Sequence, residues 1–157
     1  MKLARAKLSD LDEEDQLLFL VLASTGMRLS EAFEIEQEFE ERGCRFTIVG
    51  TKSATSKRRV PFPRVLIPYL PKRVSRPLFT GSIPAASKRL NRFLDHSGID
   101  DPDKVVHSLR HRAQDRLRAA GCPRTIDGRC LDMKRRRSLR DMERDSPCRC
   151  CAGGLIA

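Results

Sequence analysis

Two short stretches combine residue types that can handle a phosphate group. In His107-Ser-Leu-Arg110-His111 the histidine and the arginine stand one helical turn apart, facing the same way, while Leu109 points to a core. An imidazole so placed can move or share a proton, and the guanidinium beside it can neutralise charge developing on a phosphoryl group. The same spacing also suits two polar residues on a solvated face, and His111 reads as a structural hydrogen-bonding residue. In Thr25-Gly-Met-Arg28-Leu-Ser-Glu31 an arginine follows a glycine turn at a helix start, where its planar fork and the helix N–H groups can share an anion. Taken alone, this piece reads as a solvated arginine beside a capping serine. Gly50-Thr-Lys52 sets an ammonium on a turn, which by itself is ordinary.

These residues need elements to carry them. Asp10 with Glu13 predicts the cap of a first helix running through Gln16–Ala23. Its unbroken core, Leu17 to Leu22, predicts burial on nearly all sides, and Gly26 predicts its end. A second, short helix is expected from about Arg28, with Leu29, Ala32 and Phe33 on one face. The acidic patch Glu34 to Glu41 leads through Gly43 to Cys44–Val49, whose alternation and β-branched residues predict a strand. Gly50 to Lys57 is a polar turn, and Arg58–Pro63 reads as the returning strand of a β-hairpin with basic residues around its tip. Two further helices are expected, over Ala85–Ser97 and around His107–Ala120, the latter stopped by Gly121 and Pro123.

Composition narrows the function classes. The chain has 157 residues, enough for one domain with a real core, and carries a net charge of +10, which favours a polyanionic partner. The longest apolar run, Leu17 to Ala23, is too short to cross a bilayer, and no basic-then-apolar leader opens the chain, so the expected location is the cytosol. Cys44 and Cys122 lie in the body, while Cys130, Cys148, Cys150 and Cys151 crowd the end. That layout is no disulfide framework, and its spacing matches no standard zinc pattern.

Taken in order, the motifs resemble the catalytic domain of tyrosine recombinases, the phage-integrase type of DNA strand-breaking enzyme. The matching pieces are Thr-Gly-x-Arg-x-Ser-Glu at 25–31, a β-hairpin bearing a lysine and closing on Arg-Val-Pro, and His-x-Leu-Arg-His at 107–111, within roughly residues 10 to 123. The resemblance implies an α+β fold, mostly helical around a small antiparallel β-sheet, with an incomplete catalytic domain over 1–123. Arg28 and Arg110 match the arginine pair that grips the scissile phosphate, and His107 the histidine that assists proton transfer. Lys52 matches the hairpin lysine that protonates the leaving 5′ oxygen, with neighbouring Lys57 left open for that part. Double-stranded DNA is the implied partner, contacted by Arg28, Lys52, Lys57, Arg58 and Arg110, together with recombinase protomers in a tetrameric synapse. No cofactor and no metal is implied.

The family also uses a second His or Trp, and a tyrosine nine residues beyond it that attacks the phosphate and forms a 3′-phosphotyrosyl link. The only tyrosine here is Tyr69, far upstream; it is expected in the core and takes no role. From Arg124 onward periodicity vanishes, and 124–157 reads as a basic, Cys-containing, disordered tail. Read one frame away, the codons of Cys130–Lys134 can spell Leu-Gly-His-Glu, and those of Arg140–Ser146 can spell Gly-Tyr-Gly-x-Gly plus Phe or Leu. The tyrosine so permitted falls nine positions after the histidine. The tail is therefore read as an out-of-frame translation of the last motifs, a natural divergent tail being the alternative. The helical clamp domain that precedes the catalytic one in the family is expected to be absent, because Met1 stands about ten residues before the first catalytic helix. The functional expectation is site-specific DNA recombination or integration chemistry, abolished here for want of the nucleophile. Two alternatives stay open: a non-catalytic DNA-binding module, and a decayed prophage or mobile-element fragment without function.

Overall fold

The computed structural model describes residues 7–41, 43–50, 57–99, 101 and 104–119. After a 3₁₀ turn at Leu8–Asp10, helix α1 covers Glu13–Thr25. Its cap is Asp12 rather than Asp10, because Asp10 is taken up by the 3₁₀ turn; the Asp12 Oδ1 accepts from the Asp15 N–H at 2.8 Å. Glu13, Glu14 and Asp15 fill the first turn, where carboxylates oppose the positive helix end. Leu18, Phe19, Val21 and Leu22 are buried, and Leu17, Leu20 and Ala23 are half-buried, as the all-round apolar run predicts. Gly26 ends the helix in the left-handed conformation at φ 65°, its N–H donating to the Leu22 carbonyl.

One helical turn, α2 (Leu29–Ala32), follows. A three-stranded antiparallel sheet comes next, in the order β1 (Glu38–Glu41), β2 (Cys44–Val49), β3 (Arg58–Pro61). The strand β1 lies inside the acidic patch and was not expected: three glutamates in four residues hide a strand whose Phe39 pairs with Phe46. Alternation along the strands gives the sheet two different faces. Thr47, Val49, Val60 and Arg58 turn to the core, whereas Phe39, Phe46 and Arg59 lie outside. On the outside the two phenylalanine rings stack at 5.6 Å, and the Arg59 guanidinium sits 5.1 Å from the Phe46 centroid.

A second 3₁₀ turn, Ile67–Tyr69, leads to α3 (Ile83–His96) and α4 (Ser108–Ala119). Ser82 caps α3, and Ala86, Leu90, Phe93 and Leu94 form its buried face. Phe93 meets Phe19 of α1 edge-on at 5.4 Å, and Arg89 reaches across to the buried Asp15, with Nη2 donating to Oδ1 at 2.8 Å. The start of α4 is pinned to α3 by the Val106 N–H, which donates to Asn91 Oδ1 at 2.8 Å. Val106, Leu109 and Ala113 then close the core over α1, which is how residues near 110 come to lie beside residues near 26. Among the described residues no helix is long and apolar enough to cross a membrane.

Candidate functional site

The glycine turn between α1 and α2 is where the separated motifs meet. Thr25 Oγ1 donates to the Val21 carbonyl at 2.6 Å and accepts from the Met27 N–H, which fixes the turn from within. Gly26 takes the positive φ and turns its carbonyl toward α4. Arg110 Nη1 donates to that carbonyl at 2.8 Å, both groups being buried. The turn that carries Arg28 and the helix start that carries His107 and Arg110 are thus joined by a hydrogen bond across 84 residues of chain.

Arg28 lies just past the turn with its side chain half-exposed. It is held by Glu31, whose Oε2 accepts the Arg28 N–H at 2.7 Å and whose Oε1 accepts from Nη1 at 2.8 Å. The carboxylate thus caps α2 from three residues downstream. Helix α2 has only four residues, so it contributes no macrodipole of weight, contrary to the expectation of helix N–H help at Arg28. What positions Arg28 is a carboxylate.

Glu31 also faces a second arginine. Arg58 was expected among the DNA contacts at the hairpin tip, but its side chain is 1% exposed and its guanidinium forks onto both oxygens of Glu31. The correction has a simple cause: Arg58 sits two residues before the buried Val60 on one strand face, whereas Arg59 points outward. Burial alone pushes the Glu31 carboxyl up, but the Arg58 hydrogen bond, the Arg28 N–H, the Arg58 charge and the Arg28 side-chain hydrogen bond outweigh it and hold its pKa below the ordinary value.

The hairpin is tethered to the same region. Glu34 Oε2 accepts from the Gly50 N–H at 2.8 Å, which brings the first residue of the hairpin turn against the segment after α2. Lys52 lies outside the described residues; Lys57 is exposed at the foot of β3. His107 is exposed beside the start of α4, one turn from Arg110, with its ring edge-to-face with His111 at 5.2 Å. The structure therefore gathers Arg28, Glu31, Arg58 and Arg110 around one turn and sets His107 on the adjoining helix start. Glu31 and Glu34 were missed as site builders. The signal for Glu31 was its spacing, three residues after Arg28, which is capping-box spacing.

Tyr69 departs from expectation too: it is 59% exposed, not in the core. The Pro71 carbonyl just beyond it accepts from Arg45 Nη2 at 3.0 Å, near the start of β2. Arg58 pairs with Val49 at the other end of that strand. Four residues of strand separate Arg45 from Val49, about 13 Å. Two surface depressions flank α3, one including Lys88 and Asn91 and the other Arg89 and His96; neither is lined by Arg28, His107 or Arg110. Among the described residues no three His, Cys, Asp or Glu side chains gather as a metal site, and the tail cysteines lie outside those residues.

This architecture is the tyrosine-recombinase catalytic-domain fold. The chain is similar to the XerH site-specific recombinase bound to difH substrate in a pre-cleavage complex, at 16% identity and a TM-score of 0.64 over 90% of this chain and 50% of that one. It is similar also to XerH bound to palindromic difH substrate in a post-cleavage complex, at 17% identity and a TM-score of 0.66 over 83% of this chain and 43% of that one. The chain thus spans about half the length of these solved structures. No protein-family model and no curated protein matches the sequence.

Proposed function

We propose that this domain binds the backbone of double-stranded DNA through Arg28 and Arg110, as a recombinase-type catalytic domain that does not itself break strands. The observation that carries the reading is the Arg110–Gly26 hydrogen bond, which unites the two arginine motifs at one turn. His107 would stand beside the phosphate, where the family's histidine assists proton transfer, and Lys52 or Lys57 would approach from the hairpin. Arg58 takes a different part from the one expected: it holds Glu31, and Glu31 holds Arg28. The solved neighbours with this fold are complexes with difH substrate, which supports a DNA partner. Assembly with recombinase protomers belongs to the same reading.

Strand cleavage by this route needs a tyrosine whose oxygen replaces the 5′ oxygen on phosphorus. Tyr69 is the only tyrosine, and its neighbourhood is the far end of β2. Residues 124–157 are read as the out-of-frame remnant of the motifs that would supply it, which the coding DNA tests: a one-base correction near codon 123 must restore Gly-His and Gly-Tyr segments.

The function is tested by DNA affinity as a function of salt. Arg28→Ala should weaken binding across sequences and lower the slope of log K against log salt by about 0.9. A suicide DNA substrate should give no denaturant-resistant protein–DNA adduct. An unchanged slope in Arg28→Ala defeats the phosphate reading; a covalent adduct defeats the non-cleaving one.

A further inference from the structure

The chain has three histidines, and two of them face each other. His107 and His111 stand four residues apart across the start of α4, both exposed, with ring planes at 79° and centroids at 5.2 Å. His107 directly precedes α4 and its carbonyl accepts the Arg110 N–H at 3.1 Å, so the four-residue spacing brings the two side chains to one side of the helix start. The third histidine is engaged otherwise: the Nδ1 of His96 is 2.7 Å from the Arg92 carbonyl oxygen at the end of α3.

The separation suits a shared metal ion. With metal–nitrogen bonds of about 2.1 Å, each ring centroid stands about 3.2 Å from the metal, so a tetrahedral angle sets the centroids about 5.2 Å apart. Two histidines at this helical spacing are also the pair that grips zinc in helical His-x-x-x-His sites. Of the two arginines that flank His111 in sequence, Arg110 donates to the Gly26 carbonyl, while Arg112 is exposed and adds positive charge nearby. Leu109 is buried as well, so the turn between the histidines is anchored while both rings face solvent.

We propose that His107 and His111 form a two-imidazole chelate for a divalent transition metal of the zinc, nickel or copper class. Neutral imidazole nitrogen suits those ions, whereas magnesium and calcium take oxygen ligands. No third His, Cys, Asp or Glu joins the pair among the described residues, so the remaining positions are open to water or another exchangeable ligand. Binding falls as pH drops, because protons compete for the same lone pairs. Metal and proton thus exclude each other on these nitrogens, so the ion would withdraw His107 from the phosphate in the reading proposed above. The metal site itself does not depend on that reading.

The test uses the full chain with its cysteines alkylated by iodoacetamide, which removes competing thiolates. Zinc chloride is titrated while the three imidazoles are followed by long-range proton–nitrogen correlation spectra. The expected result is that His107 and His111 shift together, saturating at one zinc per chain, with His96 unmoved. His111→Ala and His107→Ala should each weaken zinc binding more than about tenfold, since even losses outside the ligand set cost about 10–100-fold. Magnesium chloride should leave all three rings unchanged. The proposal is overturned if the two rings titrate separately, if His111→Ala binds zinc as tightly as the parent, or if magnesium shifts the pair equally.

Discussion

Glu31→Gln removes one negative charge from the point where two arginines converge. The cost follows from the burial of each partner. Arg58 and Glu31 are 1% and 5% exposed at their side chains, so Arg58 would stay buried after losing its carboxylate partner. Breaking a buried pair from one side costs about 3–5 kcal/mol, and the amide oxygen that glutamine keeps puts the expectation near the lower figure. The link to Arg28, which is 51% exposed, adds no more than about 1 kcal/mol. Urea unfolding followed by circular dichroism should show a lower midpoint at constant slope, matched by a fall in melting temperature of roughly 2–4 °C per kcal/mol. Adding Arg58→Met should recover much of the loss, because the stranded charge is then gone. The effect also depends on pH. The folded pKa of Glu31 lies below its ordinary value of 4.5, so its stabilising contribution is complete above that value and is lost as pH falls through the folded one. Parent and Glu31→Gln stabilities should thus converge in acid. A loss below about 1 kcal/mol at neutral pH, or a double variant that simply sums the two single losses, would refute the buried-pair argument.

Gly26→Ala forces a Cβ into φ 65° and should cost about 1–2 kcal/mol while weakening DNA binding, since the same residue's carbonyl holds Arg110; a thermal melt and a filter-binding assay check both parts. Arg89→Ala should destabilise more than Asp15→Asn in urea titrations, because the first strands a carboxylate that is 2% exposed while the second leaves a guanidinium that is 47% exposed to be hydrated. Arg59→Ala, on the outer sheet face, should change unfolding by less than about 1 kcal/mol, as its exposed pair with Glu41 and its contact with Phe46 are both weak supports.

How much could be read from the sequence depends on which force set each feature. The helices were legible because burial selects apolar side chains: an unbroken run over Leu17–Leu22 in α1, and a period marked by Leu90, Phe93 and Leu94 in α3. The β2–β3 hairpin was legible from Cys44–Val49 and the Arg-Val-Pro close. Strand β1 was not, since an edge strand can carry glutamates that pair with arginines of the other strands, here Glu38 with Arg45 and Glu41 with Arg59. The meeting of the 25–31 and 107–111 motifs is a tertiary fact no local pattern contains; only the resemblance suggested it. Arg58 departs from what its charge suggests because strand parity turns it inward, and Tyr69 departs from its proline-framed, apolar surroundings because a 3₁₀ turn leaves it outside.

The separation in sequence of the contacts at the glycine turn has a consequence for how the chain acquires its site. Arg58 meets Glu31 after closing 27 residues, while Arg110 meets Gly26 only after closing 84. The longer closure costs about 1 kcal/mol more in chain entropy, with the ratio of lengths entering logarithmically. The inner ion pair can therefore form early, from the first helix and the hairpin, whereas the second arginine arrives with the last described helix. DNA affinity should then appear late in refolding, after most of the core signal, and so report on completion of the fold as well as on charge.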